Sequence, residues 1–393
     1  MSGKFNSGPG GVDLELDFLT ETDIFDRYVG NQLWVWGDGQ FGSIGQGTIQ
    51  TSRSSPVQTI SGGTAWAKIS TNDFSTDTII AIKSDGTLWN WGINTTGSLG
   101  DGTRTNRSSP VQTIAGGSNW KECATGDSYS AGIKTDGTLW VWGFNSYGQL
   151  GTSNITHRSS PVQTVAGGTN WQFVSSGKYN MSAIKTDGTL WMWGRNNWGQ
   201  IGDATRTARS SPVQTIAGGT NWKQLSISSF HVLAIKTDGT LWAWGSNSNG
   251  ELGDTTIAQK SSPVQTIAGG TNWKQCSAGT NSSAGIKTDG TLWVWGHNNT
   301  RKLADNTTTH RSSPVQTISG GTDWKSVSMG YQHCAAIKTD GTLWLWGQNG
   351  SGQLGDGTIV HRSSPVQTLA GGNNWKMVRV MDSGTVAITL AES

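Results

Sequence analysis

Residues 139–151 read Leu-Trp-Val-Trp-Gly-Phe-Asn-Ser-Tyr-Gly-Gln-Leu-Gly, and Pro161 follows ten residues later in the string Ser-Ser-Pro-Val-Gln-Thr. The pentad Leu-Trp-x-Trp-Gly occurs seven times, and the last five intervals between its copies are all 51 residues. Ser-Ser-Pro-Val-Gln-Thr also occurs seven times, and a lone tryptophan follows each of its prolines by ten residues. These markers hold every tryptophan except Trp198, so nearly the whole chain is one array of similar repeats.

Each repeat predicts four short strands. Trp-Lys-x-x-Ser is the first, Ala-Ile-Lys-Thr the second, Leu-Trp-x-Trp-Gly the third and Ser-Pro-Val-Gln-Thr the fourth. Thr-Asp-Gly-Thr between the second and third strands is a strong hairpin signal. A proline at the start of the fourth strand suits an outer edge, where a missing amide does no harm. Seven four-stranded units predict an all-β, seven-bladed β-propeller, with tryptophans filling the wedges between blades.

The two ends of the array show how the ring closes. The sequence after Gly30 begins with a third and a fourth strand, whereas the C-terminus ends with a first and a second strand. The last blade is therefore predicted to combine strands from both ends of the chain. This organisation gives two units: an acidic N-terminal extension, residues 1–30, and the propeller, residues 31–393.

The stretch 139–151 with Pro161 resembles the repeat of the regulator of chromosome condensation family. Blades of that family carry Trp-Gly, then Asn-x-x-Gly-Gln-Leu-Gly, then a proline. The resemblance covers residues 31–393 and implies a seven-bladed propeller with one shared blade. Members of that family include a nucleotide-exchange factor for a small GTPase that also binds chromatin, and ubiquitin ligases or adaptors. The near-identical blades and the acidic leader resemble more closely the propellers that bacteriophages encode as virion proteins.

Composition and motifs argue against several functions. The formal net charge is only +2, so we expect no nucleic-acid binding. No phosphate-binding loop, metal-binding motif or catalytic constellation occurs, so we predict no enzyme activity, no cofactor and no metal site. The three cysteines suggest buried apolar residues rather than disulfides. We find no signal peptide and no stretch that could span a membrane.

The repeats differ mainly in two stretches, one between the first two strands and one after the third strand. Loops on a rigid scaffold are where binding usually occurs, and aromatic side chains there could bind a glycan or a protein. The alternative is drift at solvated positions. The candidate binding residues are Phe74, Tyr129, Tyr179, Trp198, Phe230, His231, Tyr331 and His333.

Two further features of the repeats bear on function. A cation precedes each Ser-Ser-Pro, as Arg158 does; the seven cations could form a basic ring, cap turns or pair with aspartates of their own blades. The sixth copy has Asn-Thr-Arg-Lys-Leu-Ala-Asp at 299–305 and lacks both glycines, which predicts a changed loop path there.

The leader alternates apolar and acidic residues over 12–18, which is strand periodicity, and then shows a helix start at 20–23. A closed propeller has no free edge for this strand, so we expect it to dock on another protein, with packing across the propeller rim as the alternative. The predicted anchor residues are Val12, Leu14, Leu16, Phe18, Ile24, Phe25 and Tyr28.

These observations lead to three hypotheses. The first is a non-enzymatic virion structural protein of a bacteriophage, located in the virion after synthesis in the host cytoplasm. It would be present in several copies, bind other virion proteins through residues 1–30 and display the propeller to a host glycan or receptor. The second is a multivalent carbohydrate-binding propeller. The third is a guanine-nucleotide exchange factor or chromatin-associated regulator.

Overall fold

A computed structural model describes residues 31–39, 42–47, 52–59, 65–72 and 78–390. The strands of these residues form seven four-stranded antiparallel sheets arranged as a seven-bladed propeller, which confirms the predicted fold. Blades 1 to 6 follow one another along the chain, and blade 7 contains strands from both ends. None of the described segments forms a helix that could cross a membrane.

The first, innermost strands of blades 1 to 7 each begin at the lone tryptophan of the repeat. They are β3 (Trp66–Thr71), β7 (Trp120–Gly126), β11 (Trp171–Ser176), β15 (Trp222–Ile227), β19 (Trp273–Gly279), β23 (Trp324–Met329) and β27 (Trp375–Val380). The second strands are β4 (Thr78–Lys83), β8 (Tyr129–Lys134), β12 (Asn180–Lys185), β16 (His231–Lys236), β20 (Ser282–Lys287), β24 (His333–Lys338) and β28 (Gly384–Thr389).

The third strands coincide with the Leu-Trp-x-Trp-Gly pentads. They are β5 (Leu88–Gly92), β9 (Leu139–Gly143), β13 (Leu190–Gly194), β17 (Leu241–Gly245), β21 (Leu292–Gly296), β25 (Leu343–Gly347) and, in blade 7, β1 (Gln32–Gly37). The outer strands are β6 (Arg107–Gln112), β10 (Arg158–Gln163), β14 (Arg209–Gln214), β18 (Lys260–Gln265), β22 (Arg311–Gln316), β26 (Arg362–Gln367) and, in blade 7, β2 (Arg53–Gln58).

The outer strand tolerates its proline because it carries a bulge. In blade 2, Arg158 pairs with Gly143 and Val162 pairs with Val141, and the register shifts between the two pairs. Pro161 lies within this shift, where the ladder requires no amide. The strand begins at the cation, slightly earlier than the sequence pattern predicts.

The hairpin between the second and third strands depends on its Asp-Gly pair. In blade 2, Asp136 Oδ1 accepts hydrogen bonds from the amide and the hydroxyl of Thr138, and that hydroxyl accepts one from Trp140 Nε1. Gly137 has φ +80°, and a Cβ there would lie 2.0 Å from the carbonyl oxygen of Thr169. The turn therefore requires glycine for its conformation and for its contact with the next blade.

Blade 7 closes the ring as predicted. Strand β1 pairs with β28 along its whole length, from Gln32 opposite Thr389 to Gly37 opposite Gly384. The sheet order is β2-β1-β28-β27, so each end of the chain contributes two strands. The N-terminal extension, residues 1–30, lies outside the described residues, and its role stays a prediction.

The second tryptophan of each pentad joins neighbouring blades. Its indole Nε1 donates a hydrogen bond to a backbone carbonyl in the loop that follows the third strand of the preceding blade, as Trp193 does to Gln149 at 2.9 Å. The other six bonds are 2.8–3.0 Å long and run from Trp36 to Gln353, Trp91 to Ser43, Trp142 to Ser98, Trp244 to Gln200, Trp295 to Glu251 and Trp346 to Lys302. We call this bond the tryptophan clasp.

The loop of the sixth copy, which lies in blade 5, keeps the path of the other blades, so the prediction of a changed path was wrong. Arg301 and Ala304 have φ of 61° and 48°, in the left-handed region that Gly148 and Gly151 occupy in blade 2. The path is set by Asn298, whose side chain accepts a bond from Leu303 N and donates to Asp305 and Thr307. This asparagine holds the loop even where the glycines are lost.

We expect Trp193→Phe to destabilise the protein by about 2–4 kcal/mol, because it leaves a buried carbonyl without its donor and a small cavity. Trp191→Phe is the matched control, since Trp191 is partly buried and donates only to Thr189 of its own blade. For this variant we expect a loss of about 1 kcal/mol. Urea denaturation followed by tryptophan fluorescence measures both; equal losses would argue against the clasp.

We expect Arg301→Gly to stabilise the protein by about 1 kcal/mol, because glycine adopts the left-handed conformation without the steric cost of a side chain. The side chain of Arg301 is exposed, so little packing is lost. The reciprocal change Gly250→Ala should destabilise the protein, since its Cβ would lie 2.4 Å from Ser312 Cα. The urea midpoints of the two variants should therefore move in opposite directions.

Candidate functional site

The two variable stretches of the repeat meet on one face of the propeller. Because the strands of a blade are antiparallel, the loop between its first two strands and the loop after its third lie at the same end. The backbones of the two loops are hydrogen-bonded, as Arg195 N to Tyr179 O at 2.8 Å and Ser246 N to Phe230 O at 2.9 Å show. We call this end the variable face.

Aromatic side chains bridge two adjacent blade junctions on the variable face. Tyr147 of blade 2 packs on Tyr179 of blade 3, with ring centroids 4.8 Å apart. Trp198 of blade 3 packs edge-on against Phe230 of blade 4 at 6.1 Å. At the other junctions with described residues, the equivalent positions are Thr96 with Ser128, Asn249 with Asn281, Thr300 with Gln332 and Ser351 with Ser383. We call Tyr147, Tyr179, Trp198 and Phe230, with the residues packed against them, the aromatic stripe. The stripe breaks the sevenfold repetition of this face.

The stripe also carries charge. The guanidinium of Arg195 lies 5.3 Å from the ring centroid of Tyr147 and 5.7 Å from that of Tyr179. Burial, together with the charge and hydrogen bond of Asp127, raises the pKa of Tyr179 to about 12, so its hydroxyl keeps its proton. Asp127 also lies 3.9 Å from Lys178. The stripe thus presents the neutral phenol of Tyr179, the cation of Arg195 beside two tyrosine rings, and an ion pair at its edge.

The structure brings together some of the predicted binding residues. Trp198 and Tyr331 are 39% and 44% exposed, and Tyr179 and Phe230 are partly buried on the same face. Tyr331 lies apart from the stripe, in blade 6. Phe74 falls outside the described residues. Phe144 and Tyr147 belong to the stripe as well, because Phe144 packs against Tyr147 and Tyr179.

Three of the predicted binding residues are buried, so the expectation that they lie in exposed loops was wrong. Tyr129, His231 and His333 each begin a second strand and point into the junction with the next blade, where their side chains are inaccessible. The hydroxyl of Tyr129 lies 2.6 Å from Asn180 O. His231 Nε2 lies 2.8 Å from Ser283 Oγ, and His333 Nε2 lies 2.9 Å from Thr385 Oγ1.

These buried histidines stay neutral. Burial, with a contribution from the charge of Lys302, lowers the pKa of His231 and of His333 to about 3. The Nζ of Lys302, itself buried, donates a 2.7 Å hydrogen bond to Tyr331 O. Between the unfolded pKa of about 6.5 and the folded value, the unfolded chain binds more protons than the folded chain. The stability that these residues contribute is complete above that range and is lost as pH falls through it.

We expect His231→Asn/His333→Asn to reduce the acid sensitivity of the fold. Each histidine should cost the wild type about 2 kcal/mol of unfolding free energy between pH 7 and pH 5. Asparagine does not titrate and occupies the same position, Asn180, in blade 3. Urea unfolding of both proteins at several pH values measures the difference, and parallel pH profiles would contradict the assignment.

The repeat cations pair mainly within their own blades, as one of the sequence alternatives proposed. Arg209 lies 2.6 Å from Asp203, six residues earlier. The other pairs are Arg107–Asp101, Lys260–Asp254, Arg311–Asp305 and Arg362–Asp356, at 2.7–3.8 Å. Arg53 and Arg158 have Gly47 and Thr152 at the position of the aspartate and are exposed. The structure therefore favours local pairing over a basic ring.

A charged site in the central channel was missed from the sequence. The innermost strands line a cavity of about 360 Å³, and Lys68, Glu122 and Arg379 project from adjacent blades 1, 2 and 7. The sequence signal was available: these residues stand two or four positions after the lone tryptophan, where other copies have neutral residues. Of the described side chains, no group of three His, Cys, Asp or Glu is placed to hold a metal.

The cysteines are free thiols, and none forms a disulfide among the described residues. Cys276 and Cys334 are buried, as the sequence predicts, and burial raises their pKa values. Cys123 keeps some exposed surface, but the removal of its thiol from water, with a contribution from the charge of Glu122, raises its pKa to about 12. A high thiol pKa leaves little of the reactive thiolate at neutral pH.

The family follows from a comparison with protein-family models, in which the RCC1-like domain matches residues 32–388. The chain belongs to the RCC1-like family. The ultraviolet-B receptor UVR8 of Arabidopsis thaliana is 28% identical to this RCC1-like chain over 342 residues, which cover 86% of this chain and 77% of UVR8. The mitochondrial RCC1 domain-containing protein RUG3 of the same plant is 28% identical over 394 residues, covering 91% and 87% of the two chains.

Two solved structures share the fold. Human WBSCR16 has a TM-score of 0.80 at 18% identity and covers 93% of this chain, with all of its own chain aligned. Prp20p from Saccharomyces cerevisiae, described with its binding to Gsp1p and histones, has a TM-score of 0.82 at 18% identity, covering 93% of this chain and 92% of its own. These comparisons agree with the resemblance to the regulator of chromosome condensation family. They do not bear on a bacteriophage origin, which stays a prediction.

Proposed function

We propose that this RCC1-like propeller is a non-catalytic regulator that binds a protein partner through the aromatic stripe of blades 2 to 4. The observation that carries the proposal is the pair of aromatic bridges, Tyr147–Tyr179 and Trp198–Phe230, at adjacent junctions of an otherwise repetitive face. Tyrosine, tryptophan and arginine are the side chains that dominate binding energy at protein interfaces. Here all three occur together on loops held by rigid strands.

The stripe supports a single asymmetric site rather than a multivalent lectin. A lectin that gained avidity from similar blades would carry the same aromatic residues at most junctions. In the described junctions, aromatic pairs occur at two neighbouring positions, and polar residues occupy the rest. A regulator that recognises one partner needs such a unique face, and near-identical repeats alone would not provide one.

The partner's chemistry can be inferred from the stripe. Arg195 lies against two tyrosine rings, and its side chain is partly exposed on the variable face. An acidic side chain next to an apolar one would match this cation and the rings of Tyr147 and Trp198. The relatives supply named candidates, because the Prp20p structure is described with its binding to Gsp1p and histones.

The virion hypothesis is a separate proposal that rests on the acidic segment 1–30 and on the near-identity of the repeats. It is compatible with a protein-binding face, but it requires virion proteins as partners. A non-enzymatic role without a cofactor is part of both proposals.

The site can be tested by placing a photo-cross-linking amino acid at position 198 and, as the matched control, at position 237. Thr237 is exposed in the hairpin turn of blade 4, at the opposite end of the strands. Irradiation in an extract of the source cells should give discrete protein cross-links from position 198 and few from position 237. Purified Gsp1p and core histones serve as defined probes in the same assay.

In the protein that carries the photo-cross-linking amino acid at position 198, the further substitution Tyr147→Ala should reduce the yield of cross-links at least about tenfold. Removing a hot-spot residue costs more than about 1.4 kcal/mol of binding free energy. Asn249→Ala changes the equivalent position in blade 4 and should leave them unchanged. Equal cross-linking from positions 198 and 237 would contradict the proposal. Glycan binding that depends on Trp198 would favour the lectin hypothesis instead.

A further inference from the structure

The central channel contains one level built almost entirely of small residues. Four positions after the lone tryptophan, five blades carry serine: Ser70, Ser175, Ser226, Ser277 and Ser328. Blade 2 has Ala124 there, and blade 7 has Arg379. All seven innermost strands contribute to the lining of the cavity, which measures about 360 Å³. Arg379 is therefore the single long side chain at a level that otherwise leaves space.

The described lining of the channel carries one more positive than negative charge. Lys68 and Glu122 form an ion pair with each other, and Glu122 also acts electrostatically on Arg379, whose charged form it favours. No described carboxylate lies within ion-pair distance of Arg379, and its guanidinium donates a 2.9 Å bond to Val378 O. Burial lowers the pKa of Arg379, because a cation is less stable away from water. The channel thus holds a net positive charge that an anion could compensate.

Serine hydroxyls at the same level keep a proton to donate. Ser226, Ser277 and Ser328 each accept a hydrogen bond at Oγ from a backbone amide of the next blade, at 2.9, 2.9 and 3.2 Å. A hydroxyl that accepts in this way still has its own proton to donate. The amide bound by Ser328 belongs to Val380, the residue after Arg379. Ser328 therefore has a hydroxyl proton to donate in the blade next to Arg379.

We propose that Arg379, with the hydroxyl of Ser328 in the neighbouring blade, binds a small oxyanion, a carboxylate or a phosphate, in the central channel. The two oxygens of such a group match the parallel N–H bonds of a guanidinium. A volume of about 360 Å³ accommodates the ion and several waters at about 30 Å³ each. This site is separate from the aromatic stripe and does not depend on the proposed protein partner.

Isothermal titration calorimetry on the full-length protein tests the site. Sodium phosphate and sodium acetate are titrated separately at matched ionic strength, with sodium chloride as the reference. We expect saturable binding of at least one oxyanion with a dissociation constant of about 1–10 mM, which corresponds to a weak complex. Arg379→Ser introduces the residue that most blades carry, so the variant should fold, and it should weaken binding at least about tenfold.

Lys376→Gln is the matched control. It removes one positive charge from the same strand at an exposed position that does not line the cavity, and Gln172 occupies this position in blade 3. Its affinity should equal that of the wild type. Arg379→Lys keeps the positive charge but loses the two parallel N–H bonds of the guanidinium. Its affinity should therefore lie between those of the wild type and Arg379→Ser. This variant provides a second test if the serine variant does not fold.

Several results would overturn the proposal. One is the lack of saturable binding by the wild type up to about 100 mM of either salt. A second is equal affinity in the wild type and Arg379→Ser. A third is the same loss in Lys376→Gln as in Arg379→Ser, which would indicate general attraction to a positive protein.

Discussion

The hydrogen bond from a buried indole N–H to a backbone carbonyl of the neighbouring blade is the interaction on which this ring depends. It occurs at all seven junctions, and its acceptor lies in the loop that follows each third strand. A propeller blade has little contact with any element except its two neighbours, so each junction must fix both distance and angle. A directional bond inside a large aromatic contact does both, since the indole packs in the wedge while its N–H sets the register.

The clasp also explains which positions of a blade are free to change. The acceptor loop is held from within by an asparagine such as Asn145, which bonds to Leu150 N and to the carbonyls of Asn154 and Thr156. Residues between that asparagine and the acceptor, such as Tyr147 and Trp198, project from a backbone that is already fixed. Aromatic side chains there are consequently presented in a defined arrangement, which lowers the entropy cost of binding a partner.

The repeat makes most of the fold readable from the sequence, because the strands, hairpins and closure depend on spacings that recur. The direction of a variable side chain is not readable in the same way. Tyr129 and His231 vary between copies because each fits a particular partner in the next blade, Asn180 or Ser283, and not because they face solvent. The loop of residues 299–305 was misjudged for a different reason: the loss of the two glycines is conspicuous in the sequence, whereas the role of Asn298 becomes visible only in its hydrogen bonds to Leu303, Asp305 and Thr307.

Two asymmetric features therefore lie on a nearly symmetric frame, and they differ in origin. The aromatic stripe comes from exposed loop positions, whereas Arg379 and its neighbours replace neutral residues within the innermost strands. The fold itself specifies neither feature, in agreement with the general separation of fold and function. The sequence pointed to the first because aromatic residues in loops stand out. The second is visible only when the seven first strands are seen to share one channel.

The pairing of β1 with β28 has a mechanical consequence. Gln32 and Thr389 are opposite each other at the same end of this ladder, and they are also its outermost residues along the chain. Tension applied through the two ends of the propeller would therefore peel the strands apart one pair at a time, instead of shearing all the bonds together. Peeling concentrates the load on a single bond, so stretching would open the ring at this seam while the other six blades were still folded.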